Sequence, residues 1–235
     1  MTQAKQARII FITGTDTGVG KTVLTALLAA HLRQGGCKAW AMKPFCSGGR
    51  GDVALLRGVL DGELSEDQIN PFFFPEPIAP LVAARRRQRS ISLREVIRAI
   101  RTLSGHCECL LIEGAGGLLA PLGERWCALD LIRELRCRTI IVARNRLGAI
   151  NHTLLTVRAL RAPSRERLPA TRIALMNMRR PDASAASNAT VLSETLGRIQ
   201  LITLPFLKDN LHRSDNVKRL ARRLGTPLKE LLQGD

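Results

Sequence analysis

A glycine-rich segment that ends in lysine and threonine is the part of this sequence best suited to chemistry. Residues 14–22 read Gly-Thr-Asp-Thr-Gly-Val-Gly-Lys-Thr, after an apolar run over 8–13 and before a helical apolar pattern over 23–32. A strand, such a turn and a helix in this order form a cradle for phosphate, because backbone N–H groups and the positive end of the helix face the same anion. We therefore predict a nucleotide site, with Lys21 reaching the β- and γ-phosphates and the Thr22 hydroxyl ligating Mg²⁺.

The spacing of this segment departs in one place from the usual Gly-x-x-x-x-Gly-Lys-Ser/Thr pattern. Thr15 occupies the position of the first glycine, and Gly14 lies one residue earlier. A glycine-rich turn that merely joins a strand to a helix and exposes its lysine is the alternative interpretation. The flanking strand and helix patterns favour the nucleotide site, because that context is what separates the motif from a chance match.

Two acidic residues could complete a magnesium site, since Mg²⁺ prefers an octahedron of hard oxygen ligands. Glu113 follows the apolar run 109–112 and precedes glycines that would let phosphates approach closely. Asp52 begins a helical pattern after a glycine-rich stretch. The residue pattern leaves two alternatives open, a surface acid in a flexible turn for Glu113 and a helix N-cap for Asp52.

Lys43 is a candidate catalytic residue, because it ends a predicted strand directly before a proline and beside the predicted triphosphate. A lysine there would add positive charge where charge develops during phosphoryl transfer. A lysine that reaches solvent past the edge of the sheet is the alternative. Nearby, Ser47 could donate a hydrogen bond to a substrate or form one within a turn.

The elements that must position these residues alternate between strand and helix patterns. This alternation predicts an α/β fold with a mostly parallel sheet and helices on both faces. The predicted strands are 9–13, 39–42, 109–112, 139–143, 173–176 and 199–204, and the predicted helices are 21–34, 52–61, 92–104, 127–136, 151–161, 186–197, 214–223 and 226–233. Ligands of such sheets bind outside the carboxyl ends of the strands, where Lys43, Glu113, Asn177 and residues 145–151 lie.

Three further segments have a local signature. Ser92 is a predicted N-cap for the helix 92–104, whose apolar residues recur at i, i+3, i+4 and i+7. The segment 70–80 is rich in proline and phenylalanine, which predicts an ordered extended loop. The polar segment 161–170 is a predicted surface connection.

Length and composition predict one soluble domain. A chain of 235 residues with 45% apolar residues fits a single α/β domain over 1–235 with a sizeable core. No apolar run reaches the roughly 18 residues that suggest a membrane span, and the amino-terminal residues run into the first strand without room for a signal peptide. We therefore expect a cytoplasmic protein that does not bind membrane, whose six cysteines are reduced thiols. The sequence His106-Cys107-x-Cys109 lacks a second ligand pair, so we expect no zinc site there.

The net charge of +16 raises the question of a nucleic-acid partner. Of the 36 basic residues 29 are arginine, and they are scattered along the chain apart from one cluster over 85–89. Aromatic residues make up 3% of the chain and tyrosine is absent, so surfaces for base stacking are nearly lacking. We interpret the charge as a solvated basic surface and expect no nucleic-acid partner.

Seven segments, taken in chain order, resemble those of the dethiobiotin synthetase family. They are Gly14-Thr-Asp-Thr-x-Val-Gly-Lys-Thr22, Lys43-Pro44-x-x-Ser47-Gly48, Asp52, Pro77-x-Ala79-Pro80-x-x-Ala83-Ala84, Glu113-Gly-Ala-Gly-Gly117, Leu147-Gly-x-Ile-Asn151-His-Thr and Asn177. The displaced first glycine of the turn is itself a feature of that family. The resemblance implies a P-loop NTPase-like fold and a ligase that uses ATP and Mg²⁺. It would phosphorylate a carbamate formed from CO₂ and 7,8-diaminopelargonate, and would release dethiobiotin, ADP and phosphate.

The resemblance also implies residue roles by position. Lys43 and Lys21 would be catalytic, and Mg²⁺ would be held by Thr22, Asp52 and Glu113. The nucleotide-binding residues would be Gly18, Val19, Gly20, Lys21, Thr22, Val23, Asp52, Glu113, Gly114, Ala115, Gly116, Asn177, Met178, Pro205, Phe206 and Leu207, with Asn177 reading the adenine. Ser47 would contact the substrate. A homodimer is implied, because Gly148, Ala149, Ile150 and Asn151 match a helix N-terminus of the partner subunit that binds the substrate carboxylate.

Two departures from the family pattern accompany the match. Gly18 stands where many relatives carry an acidic residue, and Leu81 stands where a histidine is common. The alternative function is a partition- or division-site-type ATPase switch that binds DNA or membrane, but the position of its signature lysine holds Asp16. A cobyrinate-type amide synthetase is a further alternative, although such enzymes usually need an ammonia-supplying domain.

Overall fold

The computed structural model describes residues 7–161, 170–208 and 210–233, and the predicted surface connection falls mainly on residues outside these ranges. The strands are β1 (Arg8–Gly14), β2 (Ala39–Met42), β3 (Phe45–Ser47), β4 (Phe72–Phe74), β5 (Cys109–Glu113), β6 (Pro121–Gly123), β7 (Trp126–Cys127), β8 (Arg138–Arg144), β9 (Thr171–Met176) and β10 (Gln200–Leu204). The helices are α1 (Lys21–Gln34), α2 (Gly51–Val59), α3 (Glu66–Ile69), α4 (Pro80–Arg86), α5 (Leu93–Ser104), α6 (Ala128–Leu135), α7 (Ala149–Arg161), α8 (Ala185–Leu196), α9 (Ser214–Arg223) and α10 (Gly225–Leu232).

A six-stranded parallel sheet in the order β10-β9-β8-β1-β5-β2 forms the centre of the fold, which confirms the predicted fold class. The chain moves from β1 to β2 in one direction and from β5 to β8 in the other. Because crossovers between parallel strands are right-handed, the connecting helices lie on opposite faces of the sheet. Helix α1 accordingly packs with α2, α9 and α10, whereas α5 packs with α6.

Strand β1 lies inside the sheet, between β5 and β8. Its residues Ile10, Phe11 and Ile12 are almost completely buried, as are most side chains of β5 and β8. Strands covered on both faces read as continuous apolar runs, which made inner strands such as β5 and β8 recognisable in the sequence. Their common direction brings the ends of β1, β2, β5, β8, β9 and β10 to one edge of the sheet.

The segment predicted as an extended loop over 70–80 has more regular structure than the sequence indicated. Phe72–Phe74 is a short strand that pairs in parallel with Phe45–Ser47, and Pro80 begins helix α4. The rings of Phe45 and Phe72 stack with centroids 5.1 Å apart. Burial of these rings fixes the segment, and it brings residues 77–80 beside the end of β2.

Helix α5 begins as the sequence predicts. Ser92 is its N-cap: its Oγ accepts a hydrogen bond from Glu95 N at 3.3 Å, and Glu95 Oε2 accepts one from Ser92 N at 2.7 Å. The apolar stripe on the same helix, Val96, Ile97 and Ile100, is buried against the core. The cap and the stripe together set where the helix starts and which face it buries.

Candidate active site

The glycine-rich turn after β1 has a backbone that only glycine adopts readily at two points. Gly18 has φ +69° and Gly20 has φ +106°, and Gly20 directly precedes α1. A Cβ atom at Gly14 would lie 2.7 Å from Val19 Cγ2 and 2.9 Å from the Asp16 carbonyl oxygen. Contacts that short require something to shift, so close packing of the turn explains why the first glycine stands at 14.

Two contacts tie the turn to the neighbouring strand β8. Thr15 N donates to Val142 O at 3.0 Å, and the Arg144 guanidinium donates to the carbonyl oxygen of Gly18. Both partners lie towards the carboxyl end of β8. The turn is therefore held in place by the sheet as well as by α1.

Lys21 is buried at the start of α1, and its Nζ donates to the Asp16 carbonyl oxygen at 2.8 Å. Burial lowers the pKa of Lys21 from 10.5 to about 8, and Lys43 adds to the lowering. The Glu113 carboxylate opposes this shift in pKa but does not cancel it. The turn therefore holds a lysine that titrates close to neutral pH.

Four side chains, from α1, α2, β5 and the residue that follows β2, join in one hydrogen-bonded cluster beside Lys21. Thr22 Oγ1 donates to Glu113 Oε1 at 2.7 Å, and Lys43 Nζ donates to the same oxygen at 2.8 Å. Lys43 Nζ also donates to Asp52 Oδ2. Burial alone would lower the pKa of Lys43, but the charges of Glu113 and Asp52 outweigh it and raise that pKa.

The structure speaks against the alternative placements left open for these residues. Glu113 is the last residue of β5 and only 1% exposed, so it is not a surface acid in a flexible turn. Asp52 lies in the first turn of α2 and pairs with Lys43, whereas the N-cap position belongs to Arg50. Lys43 is buried between the two acids instead of extending into solvent.

These groups line a cleft of about 690 Å³ at the carboxyl edge of the sheet. Its walls come from the glycine-rich turn, the end of β2, β3, α2 and the turn after β5. Among the predicted site residues they include Gly18, Gly20, Lys21, Thr22, Val23, Lys43, Ser47, Asp52, Glu113, Gly114, Ala115 and Gly116. Val19 is buried beneath the turn. The hydroxyl of Ser47 is buried and has no hydrogen-bond partner among the described residues.

The oxygen atoms of the cluster suit a hard divalent cation. Glu113 Oε2 is buried without a partner in the described structure, while Glu113 Oε1 accepts from the Thr22 hydroxyl and Asp52 joins the cluster through Lys43. No group of three or more His, Cys, Asp or Glu side chains forms a metal cage in the described part of the chain. Mg²⁺ commonly takes one or two carboxylates and completes its octahedron with phosphate oxygens and water, so the donor set fits that ion.

The remaining predicted residues lie at neighbouring strand ends, outside the walls of this cleft. Asn177 follows β9 and donates its backbone N–H to Leu204 O at 3.0 Å, which places it beside residues 205–207 after β10. Met178 is next to it. Gly148 precedes α7, and Ala149, Ile150 and Asn151 form the first turn of that helix.

Sequence reasoning gave no individual role to three polar residues at the edge of this site, although Asn145 lies in the segment 145–151 where ligands were expected. Arg144 holds the glycine-rich turn, and Asn145 and Asn188 are buried behind Asn177. The position of Arg144 at the carboxyl end of a strand was a usable signal. Asn188 lies inside helix α8 and has no motif that marks it.

Comparison with known proteins gives one family. A protein-family model described as an AAA domain matches residues 8–211. The ATP-dependent dethiobiotin synthetase BioD of Bacillus velezensis is 36% identical over 219 residues, 91% of this chain and 92% of that protein. The protein of the same name from Anaeromyxobacter dehalogenans (strain 2CP-C) is 39% identical over 232 residues, 96% of this chain and 99% of that protein.

Solved structures with low sequence identity to this chain share its fold. The structure of pNOB8 ParA bound to nonspecific DNA superposes with a TM-score of 0.58 at 14% identity, covering 95% of this chain and 99% of that chain. Identity that low shows a shared fold alone. In the described residues no helix has both the length and the apolar composition that crossing a bilayer requires.

Proposed function

The chain belongs to the ATP-dependent dethiobiotin synthetase family, and we propose that the cleft at the carboxyl edge of its sheet is the active site. The reaction of the family is an ATP-dependent ring closure in biotin biosynthesis, and this chain is a ligase of that kind. One amine of 7,8-diaminopelargonate adds to CO₂ and forms a carbamate. A carbamate oxygen attacks the γ-phosphorus of ATP and ADP leaves. The second amine then attacks the carbonyl carbon, phosphate leaves, and the ureido ring of dethiobiotin closes.

The charges of the cleft suit the first half of this reaction. The carbamate and the γ-phosphoryl group are both anionic, so their approach requires fixed positive charge. Lys43 stays protonated at neutral pH, because its two carboxylate partners raise its pKa. We assign Lys43 and Lys21 as the catalytic lysines, with Lys43 on the carbamate side and Lys21 on the phosphates.

Charge balance also supports a role for a divalent cation. With Lys21 protonated, the two lysine ammonium groups are matched by the carboxylates of Asp52 and Glu113, so the four side chains together carry no net charge. A triphosphate would therefore meet a neutral cluster unless a metal is added. Thr22, Asp52 and Glu113 would hold Mg²⁺, which neutralises phosphate charge when it is bound.

The remaining assignments follow the family pattern and are supported by position. Gly18, Val19, Gly20, Thr22 and Val23 would surround the phosphates, helped by Gly114, Ala115 and Gly116. Asn177, Met178, Pro205, Phe206 and Leu207 would contact the base, because they follow the two strands beyond β8. Ser47 would bind the diamine, and its buried, unpartnered hydroxyl supports that role.

We further propose a homodimer in the cytoplasm without nucleic-acid or membrane partners. Gly148, Ala149, Ile150 and Asn151 lie away from the cleft walls of their own chain, at the start of α7. Such a helix N-terminus can bind a carboxylate. In a dimer it would complete the substrate site of the other subunit.

The observation that carries the proposal is the cluster of Thr22, Glu113, Lys43 and Asp52 beside the phosphate turn. The test mixes purified protein with ATP, Mg²⁺, bicarbonate and 7,8-diaminopelargonate, and follows phosphate by colorimetry and dethiobiotin by mass spectrometry. Phosphate release should require the diamine and stop on chelation of Mg²⁺. Release that ignores the diamine but rises with DNA or lipid vesicles would favour the partition-type switch instead.

Substitution of Lys43 tests its assigned role. Lys43→Met should lower kcat by about 10²- to 10³-fold, because one group that stabilises the charge of the transition state is lost. The affinity for Mg²⁺·ATP should change much less. Steady-state kinetics measures kcat, and calorimetry measures the affinity. Lys38→Met is the matched control, since Lys38 is exposed and lies over Trp40 away from the cleft. Unchanged turnover in Lys43→Met would remove that residue from its role.

A further inference from the structure

Behind Asn177 lies a chain of three asparagine side chains that the assigned residue roles do not use. Asn188 Nδ2 donates to Asn145 Oδ1 at 2.9 Å, and Asn145 Nδ2 donates to Asn177 Oδ1 at 2.8 Å. Asn188 is 2% exposed and Asn145 is 4% exposed. Amides buried to this degree are normally hydrogen-bonded, and here they bond to each other, to backbone carbonyl oxygens and, from Asn188 Nδ2, to Ser184 Oγ at 3.2 Å.

Backbone carbonyl oxygens fix the orientation of the two buried amides. Asn145 Nδ2 donates to Ala185 O at 3.1 Å, and Asn188 Nδ2 donates to Arg146 O at 3.1 Å. A carbonyl oxygen can only accept, so the nitrogen of each amide must face it. The Oδ1 of Asn145 therefore faces Asn188, and its second N–H faces Asn177.

This arrangement determines which way the amide of Asn177 points. Its Oδ1 accepts from Asn145, so its Nδ2 is directed away from the buried pair. The opposite orientation would set the two NH₂ groups against each other and leave the Asn145 N–H that faces Asn177 without an acceptor, which is costly for a buried group. Among the hydrogen bonds between described residues, the Asn177 side chain is an acceptor only. Its Nδ2 group and one Oδ1 lone pair are left for a ligand.

An amide held in this orientation matches adenine and not guanine. Adenine presents the N6 amino donor next to the N7 acceptor, and an asparagine can pair with both at once. Guanine presents O6 and N7, two acceptors, so its O6 would oppose Asn177 Oδ1. Held from behind, the amide cannot rotate to relieve that conflict without breaking its bond to Asn145.

We propose that Asn145 and Asn188 are positioning residues that fix the Asn177 amide for adenine, and so make the enzyme select ATP over GTP. This rests on the proposed contact between Asn177 and the base. Neither buried residue touches the nucleotide. They act through the hydrogen-bonded chain Asn188–Asn145–Asn177.

The test compares ligand atoms across variants of the chain. Dissociation constants and steady-state constants are measured for ATP, GTP and 7-deaza-ATP, which carries a C–H group in place of N7. The wild type should bind ATP at least about tenfold more tightly than either analogue. In Asn145→Ala, the preference for ATP, measured as the ratio of the dissociation constant of either analogue to that of ATP, should fall to about threefold or less. The KM for ATP should rise and kcat should stay nearly unchanged. Asn188→Ala should reduce the ratio less, since Asn145 keeps its bond to Ala185 O.

Ser187→Ala is the matched control, because Ser187 is the residue before Asn188 on helix α8 and is exposed. It should keep the wild-type ratio. If Asn145→Ala weakens all three nucleotides equally, the buried amides have a structural role only and the proposal is wrong. If the substituted chains do not fold, the side-chain amide protons of Asn145 and Asn188 in the wild type still test it, since rapid exchange with solvent would show that the amides are not held.

A separate outcome distinguishes this proposal from the roles on which it rests. If wild type and Asn177→Ala both bind ATP and 7-deaza-ATP equally, Asn177 does not read the base and the inference falls with that assignment. Dethiobiotin formation by the same wild-type sample would show that the ring-closing activity stands regardless.

Discussion

The two lysines of the cleft lie in the same buried pocket but differ in protonation behaviour. Lys43 contacts two carboxylates, which raise its pKa and make its charge permanent. Among the described residues, the hydrogen-bond partner of Lys21 Nζ is a backbone carbonyl oxygen, so burial dominates and lowers the pKa of Lys21 to about 8. One lysine thus supplies a fixed charge, and the charge of the other depends on whether an anion is present.

This difference predicts proton uptake when ATP binds. At pH 8 Lys21 is about half protonated in the free protein, and a bound triphosphate favours the charged form and raises its pKa. Binding at pH 8 should therefore take up about half a proton, and affinity should fall as pH rises from 7 to 9. Calorimetry in buffers of different ionisation enthalpy measures the uptake. Lys21→Arg should take up no proton at this pH. A wild type that binds ATP without proton uptake would contradict the shifted pKa of Lys21.

The close packing around Gly14 gives a second prediction at the scale of one residue. Gly14→Ala would push a methyl group against Val19 and the Asp16 carbonyl oxygen. It should weaken the binding of ATP by about tenfold or more, because overpacking costs about 1–3 kcal/mol. Equilibrium dialysis with labelled ATP measures this. Gly225→Ala is the control, since a Cβ there meets nothing within 4 Å. Equal affinity in the two variants would show that the turn tolerates a side chain at 14.

Among the elements, strand ends and helix starts supply the side chains of the candidate site. Thr22 is near the start of α1, Asp52 is near the start of α2, and Lys43 and Glu113 are at or just after strand ends. The helix and strand boundaries are therefore part of the site. A boundary that shifted by one residue would turn these side chains away from one another.

The cap of α5 provides a measurable example of such a boundary. Ser92→Ala should lower the free energy of unfolding by about 1 kcal/mol, because it removes the acceptor of the Glu95 N–H. The midpoint of urea denaturation measures the change. Ser104→Ala, at the exposed carboxyl end of the same helix, should have little effect. A cap variant as stable as the wild type would mean that packing alone fixes where α5 begins.

The sequence predicted long elements well and short ones poorly. Strand β5 is apolar at every position before Glu113, and the apolar patterns of α1 and α5 extend over three turns or more, so these patterns exceed chance. Helices α3 and α4 and strands β3 and β4 have seven residues or fewer and depend on tertiary pairing, as Phe45 with Phe72 shows. The site followed the same division. Lys21, Thr22, Lys43 and Glu113 were marked by motif and strand end, whereas Asn188 is buried by contacts that no local pattern encodes.

For the whole molecule, we propose that the chain forms a single domain. The buried residues of the described ranges form one hydrophobic cluster that includes side chains from β1 to α10. Part of the positive charge also serves to hold the fold together. Arg8 and Arg138 donate to the carbonyl oxygen of Leu232, and Arg172 donates to that of Gln233. These bonds join the carboxyl end of α10 to the starts of β1, β8 and β9.

A single domain predicts one cooperative unfolding transition. Calorimetric and van't Hoff enthalpies should agree in differential scanning calorimetry. Mg²⁺·ATP at 100 times its Kd should add about 2.7 kcal/mol and raise Tm by roughly 5–10 °C for a chain of this size. Lys21→Ala should lose most of this ligand effect while retaining a single transition. Two resolved transitions, of which ATP shifts only one, would indicate separate domains.

Because β1 lies between β5 and β8 in the sheet, it is synthesised long before either of the strands with which it pairs. Arg8 to Ile12 pair with β5, about a hundred residues further along the chain, and β8 comes later still. At about 5–20 residues per second, the nascent strand waits roughly 5–20 s on the ribosome before its first neighbour is translated. Throughout that interval the backbone N–H and C=O groups on both edges of this strongly apolar segment have no strand to pair with. We therefore expect the nascent β1 segment to need chaperones until β5 has been translated.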